Sequence, residues 1–147
     1  METIRHRVGI EAPLPTVYDA VATREGLARW WTRHVDGESQ VGGKLAFWFG
    51  GDAPGAIMEV VALEPSRRVV WRCIEGPDDW RDNVVAFDFR DVDGESIILF
   101  THEWREPVEF MYHCSMRWAY FLMSLKAGLE TGSATPWPDD SKIDRWG

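Results

Sequence analysis

The hydrophobic period of this chain changes twice, and that double change constrains the fold more than any single residue does. Near the start, Val17, Ala20 and Val21 recur at i, i+3 and i+4, and Leu27, Trp30 and Trp31 repeat the pattern. From about residue 40 the period becomes two. Leu45, Phe47 and Phe49 alternate with Ala46 and Trp48, and Val85, Phe87 and Phe89 alternate with Ala86, Asp88 and Arg90. After Pro107 the period is helical again, with Trp118, Leu122, Leu125 and Leu129 on one stripe. A run of strands is thus bracketed by helices. A meander with one apolar face needs a cover, and the last helix is the only predicted element large enough to supply it.

The boundaries follow from local chemistry. Residues 3–10 alternate, with Ile4, His6, Val8 and Ile10 on one face, and predict a first strand. Pro15 suits the first turn of a helix, where its missing N–H costs nothing, and Thr23 can cap a second short helix. The segment Gly50-Gly51-Asp52-Ala53-Pro54-Gly55 is a dense turn signal. Strands are predicted from Ile57 to Leu63, over Val69–Cys73, over Val85–Phe89 and from Ile97 to Trp104. Asp93-Gly94 between two alternating runs is a strong hairpin signal. Gly132 is placed to stop the long helix. One domain is expected over 1–132, with 133–147 as a C-terminal tail.

Composition narrows the function classes. A net charge of -8, with no Lys or Arg cluster, argues against a nucleic-acid partner. No run approaches the ~18–20 apolar residues of a membrane span. Cys73 and Cys114 lie among apolar neighbours without CxxC spacing, as expected of reduced core thiols in a cytoplasmic protein. The histidines, His6, His34, His102 and His113, show no metal-ligand spacing, so neither metal nor cofactor is expected. No nucleophile elbow surrounds Ser115 or Ser124, and no catalytic residue is assigned.

These residues, in this order, resemble the START-like superfamily, also called the helix-grip or polyketide-cyclase-like fold. More narrowly, the chain resembles the branch named for homologues of the heat-shock-protein-90 ATPase activator. The matching positions are Val17-Tyr18-Asp19-Ala20, Thr23, Leu27, Trp30 and Trp31, then Gly42-Gly43, then Gly55-x-Ile57-x-Glu59-Val60, Pro65 and Val70-Trp71. Trp118, Leu122, Leu125-Lys126, Leu129-Glu130 and Gly132 complete the match. The resemblance implies an α+β fold in which a curved antiparallel sheet wraps a long C-terminal helix, with two short helices between the first and second strands. It also implies a cavity between sheet and helix. The match covers only the second domain of the eukaryotic activator, so it implies no chaperone partner, and a homodimer is left open.

The inward faces would carry many rings. The expected lining of a pocket for a hydrophobic or aromatic small molecule is Trp31, Phe47, Phe49, Trp71, Phe87 and Phe89 from the first helices and the strands. His102 and Trp104 join them from the last strand, and Trp118, Phe121, Leu122 and Leu125 from the last helix. Of the two tryptophans in the Trp30-Trp31 pair, Trp31 is expected at the cavity mouth and Trp30 in the core. His102 alternates with Ile98, Phe100 and Trp104. An imidazole there can be a hydrogen-bonded structural group or the acid–base group of a cyclase or dehydratase. Glu59, Arg72 and Asp88 are expected to face water. Three functions follow for comparison: small-molecule binding, which is preferred, an enzyme using His102, and a chaperone-interacting module.

Overall fold

A computed structural model describes residues 1–147. The elements run β1 (Glu2–Ile10), α1 (Leu14–Ala22), α2 (Arg24–Trp30), β2 (His34–Gly37), β3 (Lys44–Trp48), β4 (Ala56–Glu64) and β5 (Arg68–Glu75). A 3₁₀ turn (Asp78–Trp80), β6 (Val84–Val92), β7 (Glu95–Trp104) and α3 (Phe110–Thr131) follow. The fold is α+β and helix-grip-like, as the resemblance implies.

All seven strands form one antiparallel sheet in the order β1-β7-β6-β5-β4-β3-β2. Register puts the inward residues directly opposite one another: Ile4 with His102, Phe87 with Phe100, Val85 with His102, and Trp71 with Val85. The β4–β5 pairing carries two irregularities, with Ile74 of β5 as the extra residue beside Ile57/Met58 and Val61 of β4 as the extra residue beside Val60/Ala62. An extra residue bends the bulged strand and increases its twist, which curls the sheet toward α3.

Local chemistry explains the connections. The Thr23 hydroxyl accepts from the Gly26 N–H at 3.0 Å and caps α2. A Cβ at Gly26 would lie 2.5 Å from the Asp19 carbonyl oxygen and 2.6 Å from the Ala20 Cα, so only glycine lets the two helices meet this closely. Asp93 and Gly94 both take positive φ, 52° and 87°, the type I′ geometry that a two-residue hairpin prefers. Gly132 ends α3 in the left-handed conformation.

The structure adds two elements that the alternation does not reveal, β2 and the 3₁₀ turn. β2 is short, and only Val35 in it is buried. β3 ends at Trp48, so Phe49 lies beyond the strand and is half-buried. Residues 133–147 hold no helix or long strand, yet they fold back along the body. The Trp137 N–H donates to the Trp31 carbonyl at 2.8 Å, and the Arg33 N–H donates to the Trp137 carbonyl at 3.2 Å. The Ser124 hydroxyl donates to the Trp30 carbonyl and accepts from the Thr135 N–H, both at 2.9 Å.

Candidate functional site

The inner faces of sheet and helix meet in a closed circuit of rings. Trp31 stacks on Trp71 (centroids 6.0 Å, 7°), Trp71 meets Phe87 at 5.1 Å, and Phe87 meets Phe100 at 5.2 Å. Phe100 meets Trp118 at 4.6 Å, and Trp118 returns to Trp31 at 4.8 Å. Phe47 joins at 4.3 Å from Trp31. At these separations the rings touch. The space expected to be a cavity is therefore occupied by the side chains expected to line it. Trp31 does not stand at a mouth: it is 4% exposed and sits at the hub of the circuit. Trp30 is also buried, its indole N–H donating to the Ala20 carbonyl at 2.8 Å.

A second cluster adjoins the circuit at the end of the sheet where the 3₁₀ turn folds over. His102 is buried between Trp104 (4.6 Å, stacked) and the edge of Trp80 (5.1 Å, 90°). The Trp118 indole N–H donates to His102 Nδ1 at 3.0 Å. That contact makes Nδ1 an acceptor, so the ring proton of the neutral imidazole is on Nε2. Nε2 lies 3.0 Å from the Asn83 amide, whose carbonyl oxygen otherwise has no partner. Turning the amide so that its oxygen accepts from Nε2–H satisfies both groups. Burial alone pushes the His102 pKa down to about 3. His102 is thus a neutral imidazole with both nitrogens engaged, an arrangement that suits a structural histidine better than a proton-transfer group.

Two indole N–H groups in this interior, those of Trp71 and Trp104, have no acceptor. The Trp80 N–H leans toward the Cys114 sulfur, a weak acceptor that leaves it short of a hydrogen bond. Each unpaired buried donor costs about 1–3 kcal/mol. Burial raises the pKa of both free thiols, Cys73 to about 11 and Cys114 to about 12, which keeps them protonated and unreactive.

The expected lining residues do not all converge. Trp31, Phe47, Trp71, Phe87, His102, Trp104 and Trp118 come together, and Leu122 packs in the same core. Phe89 lies toward the α1 end, edge-on to Tyr18 at 5.4 Å. Phe121 carries the Arg117 guanidinium 4.7 Å above its ring. Phe49 packs on Trp31 and Trp137. Leu125 borders a solvent-open groove of about 710 Å³ between α1, α2 and the end of α3, with Asp19, Glu25, Arg29 and Arg33 among its polar lining.

Three residues of the cluster were absent from the sequence-based set: Phe100, Trp80 and Asn83. Phe100 shares the alternation of His102 and could have been included on that ground. Trp80 and Asn83 lie in a Gly/Pro/Asp-rich connection where periodicity carries no information. Glu59 and Arg72 pair at 3.2 Å, and Arg68 and Asp88 also at 3.2 Å, on the outer face. No group of three or more His, Cys, Asp or Glu side chains is placed to hold a metal ion. No helix is long and apolar enough to cross a membrane.

Residues 11–130 match the family described as Activator of Hsp90 ATPase homolog 1-like protein. The solution structure of the Aha1 dimer from Colwellia psychrerythraea is similar at 36% identity, with a TM-score of 0.82, over 91% of this chain and 100% of that one. The crystal structure of CalU16 from Micromonospora echinospora is similar at 19% identity and a TM-score of 0.74, over 91% and 77% of the two chains. DynU16, a protein of the dynemicin biosynthetic locus, is similar at 22% identity and a TM-score of 0.76, over 96% and 50%. The last two likenesses are of fold alone. No curated protein matches the chain.

Proposed function

The chain belongs to the family of Activator of Hsp90 ATPase homolog 1-like proteins, and from that membership we propose that it is a START-like binding domain for a hydrophobic or aromatic small molecule. The ligand is held against the ring-lined inner face of the sheet, in the body formed by residues 1–132. It enters where Trp80 covers His102 and Trp118, because Trp80 lies on a short turn and is only half-buried.

The observation that carries this reading is the pair of acceptor-less indole N–H groups of Trp71 and Trp104 inside an otherwise apolar wall. A planar ligand bearing carbonyl or hydroxyl oxygens would pair with such donors and replace ring–ring contacts with similar ones. An acid–base role for His102 is less well supported, since both of its nitrogens are committed. Two free buried thiols suit a reducing compartment, and a cytoplasmic setting is part of the same reading. The Aha1 relative was solved as a dimer, and we read this chain as pairing with itself as well.

Native mass spectrometry and tryptophan fluorescence with a panel of lipids, flavonoids and other oxygenated aromatics test the binding. A one-to-one complex with quenched emission is expected. Trp104→Phe, which keeps a ring and removes the N–H, should weaken an oxygen-bearing ligand about fivefold, the worth of one net hydrogen bond. No complex with any class in the panel, for the wild type and for Trp80→Ala alike, overturns the reading. A chaperone ATPase assay with and without the chain decides the alternative module role.

A further inference from the structure

α3 carries a second apolar stripe on its solvent side. Tyr112, Met116, Ala119, Met123 and Ala127 recur at spacings of four, three, four and four. At 100° per residue they fall within an arc of about 80°, and they span about 22 Å of helix. Tyr112 is 80% exposed, Met116 58% and Met123 55%, and both alanines are partly open. No other element covers them. One flank of the stripe is closed by β1, where His6 Nε2 donates to the Ser115 carbonyl at 3.1 Å and Lys126 Nζ donates to the Gly9 carbonyl. The other flank is closed by the returning chain, where Arg117 pairs with Asp140 at 2.6 Å and the Ser141 N–H donates to the Tyr120 hydroxyl at 3.1 Å.

The geometry points to this stripe as the interface with a second copy of the chain, the two α3 helices crossing antiparallel about a two-fold axis beside Ala119. The inference rests on the reading that the chain pairs with itself. The sequence order of the stripe is self-complementary in that arrangement. Met116 of each copy meets Met123 of the other, the large Tyr112 meets the small Ala127, and Ala119 lies at the axis, where a small side chain permits close helix approach. A two-fold interface needs such self-complementarity, because one patch must fit itself. A partner of opposite charge, or an anionic surface, is less well matched. Both cations bordering the stripe are already neutralised within the chain, Arg117 by Asp140 and Lys126 by Glu130 at 2.9 Å. In the dimer the exposed Glu109 approaches Glu130 of the other copy, and Lys126 beside that carboxylate offsets the repulsion.

Sedimentation velocity over a dilution series tests the assembly, and cysteine cross-linking tests the register. The wild type should sediment as a dimer. The double variant Met116→Glu/Met123→Glu should be a folded monomer, its dissociation constant raised at least about 100-fold by charges placed in the centre of the contact. Circular dichroism confirms that the variant, altered only at exposed positions, keeps its fold. Ala119→Cys should form a disulfide between copies on oxidation. Tyr112→Cys alone should not, whereas a mixture of Tyr112→Cys and Ala127→Cys chains should cross-link to each other. A wild-type monomer overturns the inference and the pairing it rests on, whatever else then covers the stripe. A dimer that withstands the double variant, or that cross-links Tyr112→Cys to itself, leaves pairing intact and removes this surface.

Discussion

The inner and outer faces of α3 are both apolar, and they behave oppositely. The inner face presents Cys114, Trp118, Phe121, Leu122 and Leu125, all buried. Trp118 alone touches rings from Trp31 at the end of α2, from β6 and from β7, and donates to His102. The outer face presents Tyr112, Met116 and Met123 to solvent. Residue type is therefore a poor guide to burial on this helix. Branched and aromatic side chains that interlock with fixed partners hold the fold. Flexible methionines with no partner leave a surface able to adapt to one.

Substitutions on the two faces should separate sharply. Trp118→Ala removes the ring at the junction of the aromatic circuit and leaves His102 Nδ1 without its donor. It should cost about 3–5 kcal/mol in urea unfolding. A loss below about 1 kcal/mol would mean that the circuit contributes little and would erase the contrast between the faces.

Acid should act on the inner face through His102. The folded-state pKa of His102 is depressed to about 3 from the ordinary 6.5. Between those values the unfolded chain binds the extra proton and the folded chain does not, so stability rises with pH across that window. The contribution is complete above pH 6.5 and is lost as the pH falls toward 3. Going from pH 7 to pH 5 should cost about 2 kcal/mol from this group. Urea midpoints across that range measure it, and His102→Gln should flatten the slope. An equal slope in the variant would assign the acid sensitivity elsewhere.

On the flank between the faces, Arg117→Ala strands the nearly buried Asp140 carboxylate and should cost about 1–3 kcal/mol. Limited proteolysis should then cut within residues 133–147 first, sharpening the distinction between a strapped flank and an open face. The smallest effect is expected outside. Met123→Ser should change the stability of the monomer by less than about 0.5 kcal/mol. A larger loss, measured in a Met116→Glu background that disfavours pairing, would show that the outer face supports the folded monomer.

Much of the fold was legible because its signals are local. Thr23 caps α2 and Asp93-Gly94 turns the β6–β7 hairpin, as their residue types indicated. Inward residues such as Phe47, Trp71 and Phe87 were marked by alternation. The candidate site was less legible. His102 was picked out by its strand face, but its partners were not, because Asn83 and Trp80 come from a turn and reach it only through the register of β6 with β7. β2 escaped notice because four residues with one buried side chain carry no periodic signal.

The amino-acid sequence by itself determined the order of the elements other than β2 and the 3₁₀ turn, the face the longer strands turn inward and the wealth of rings on that face, since these depend on neighbours a few residues apart. Only the tertiary structure decided whether those rings enclose a space or fill it. That outcome depends on distances between residues far apart in the chain, such as Trp31 and Trp118 at 4.8 Å, and on a β-bulged sheet curling far enough to bring them into contact. The same holds for the outer stripe of α3. Its periodicity was present in the sequence, but its exposure followed from which side of the helix the sheet and the returning chain left uncovered.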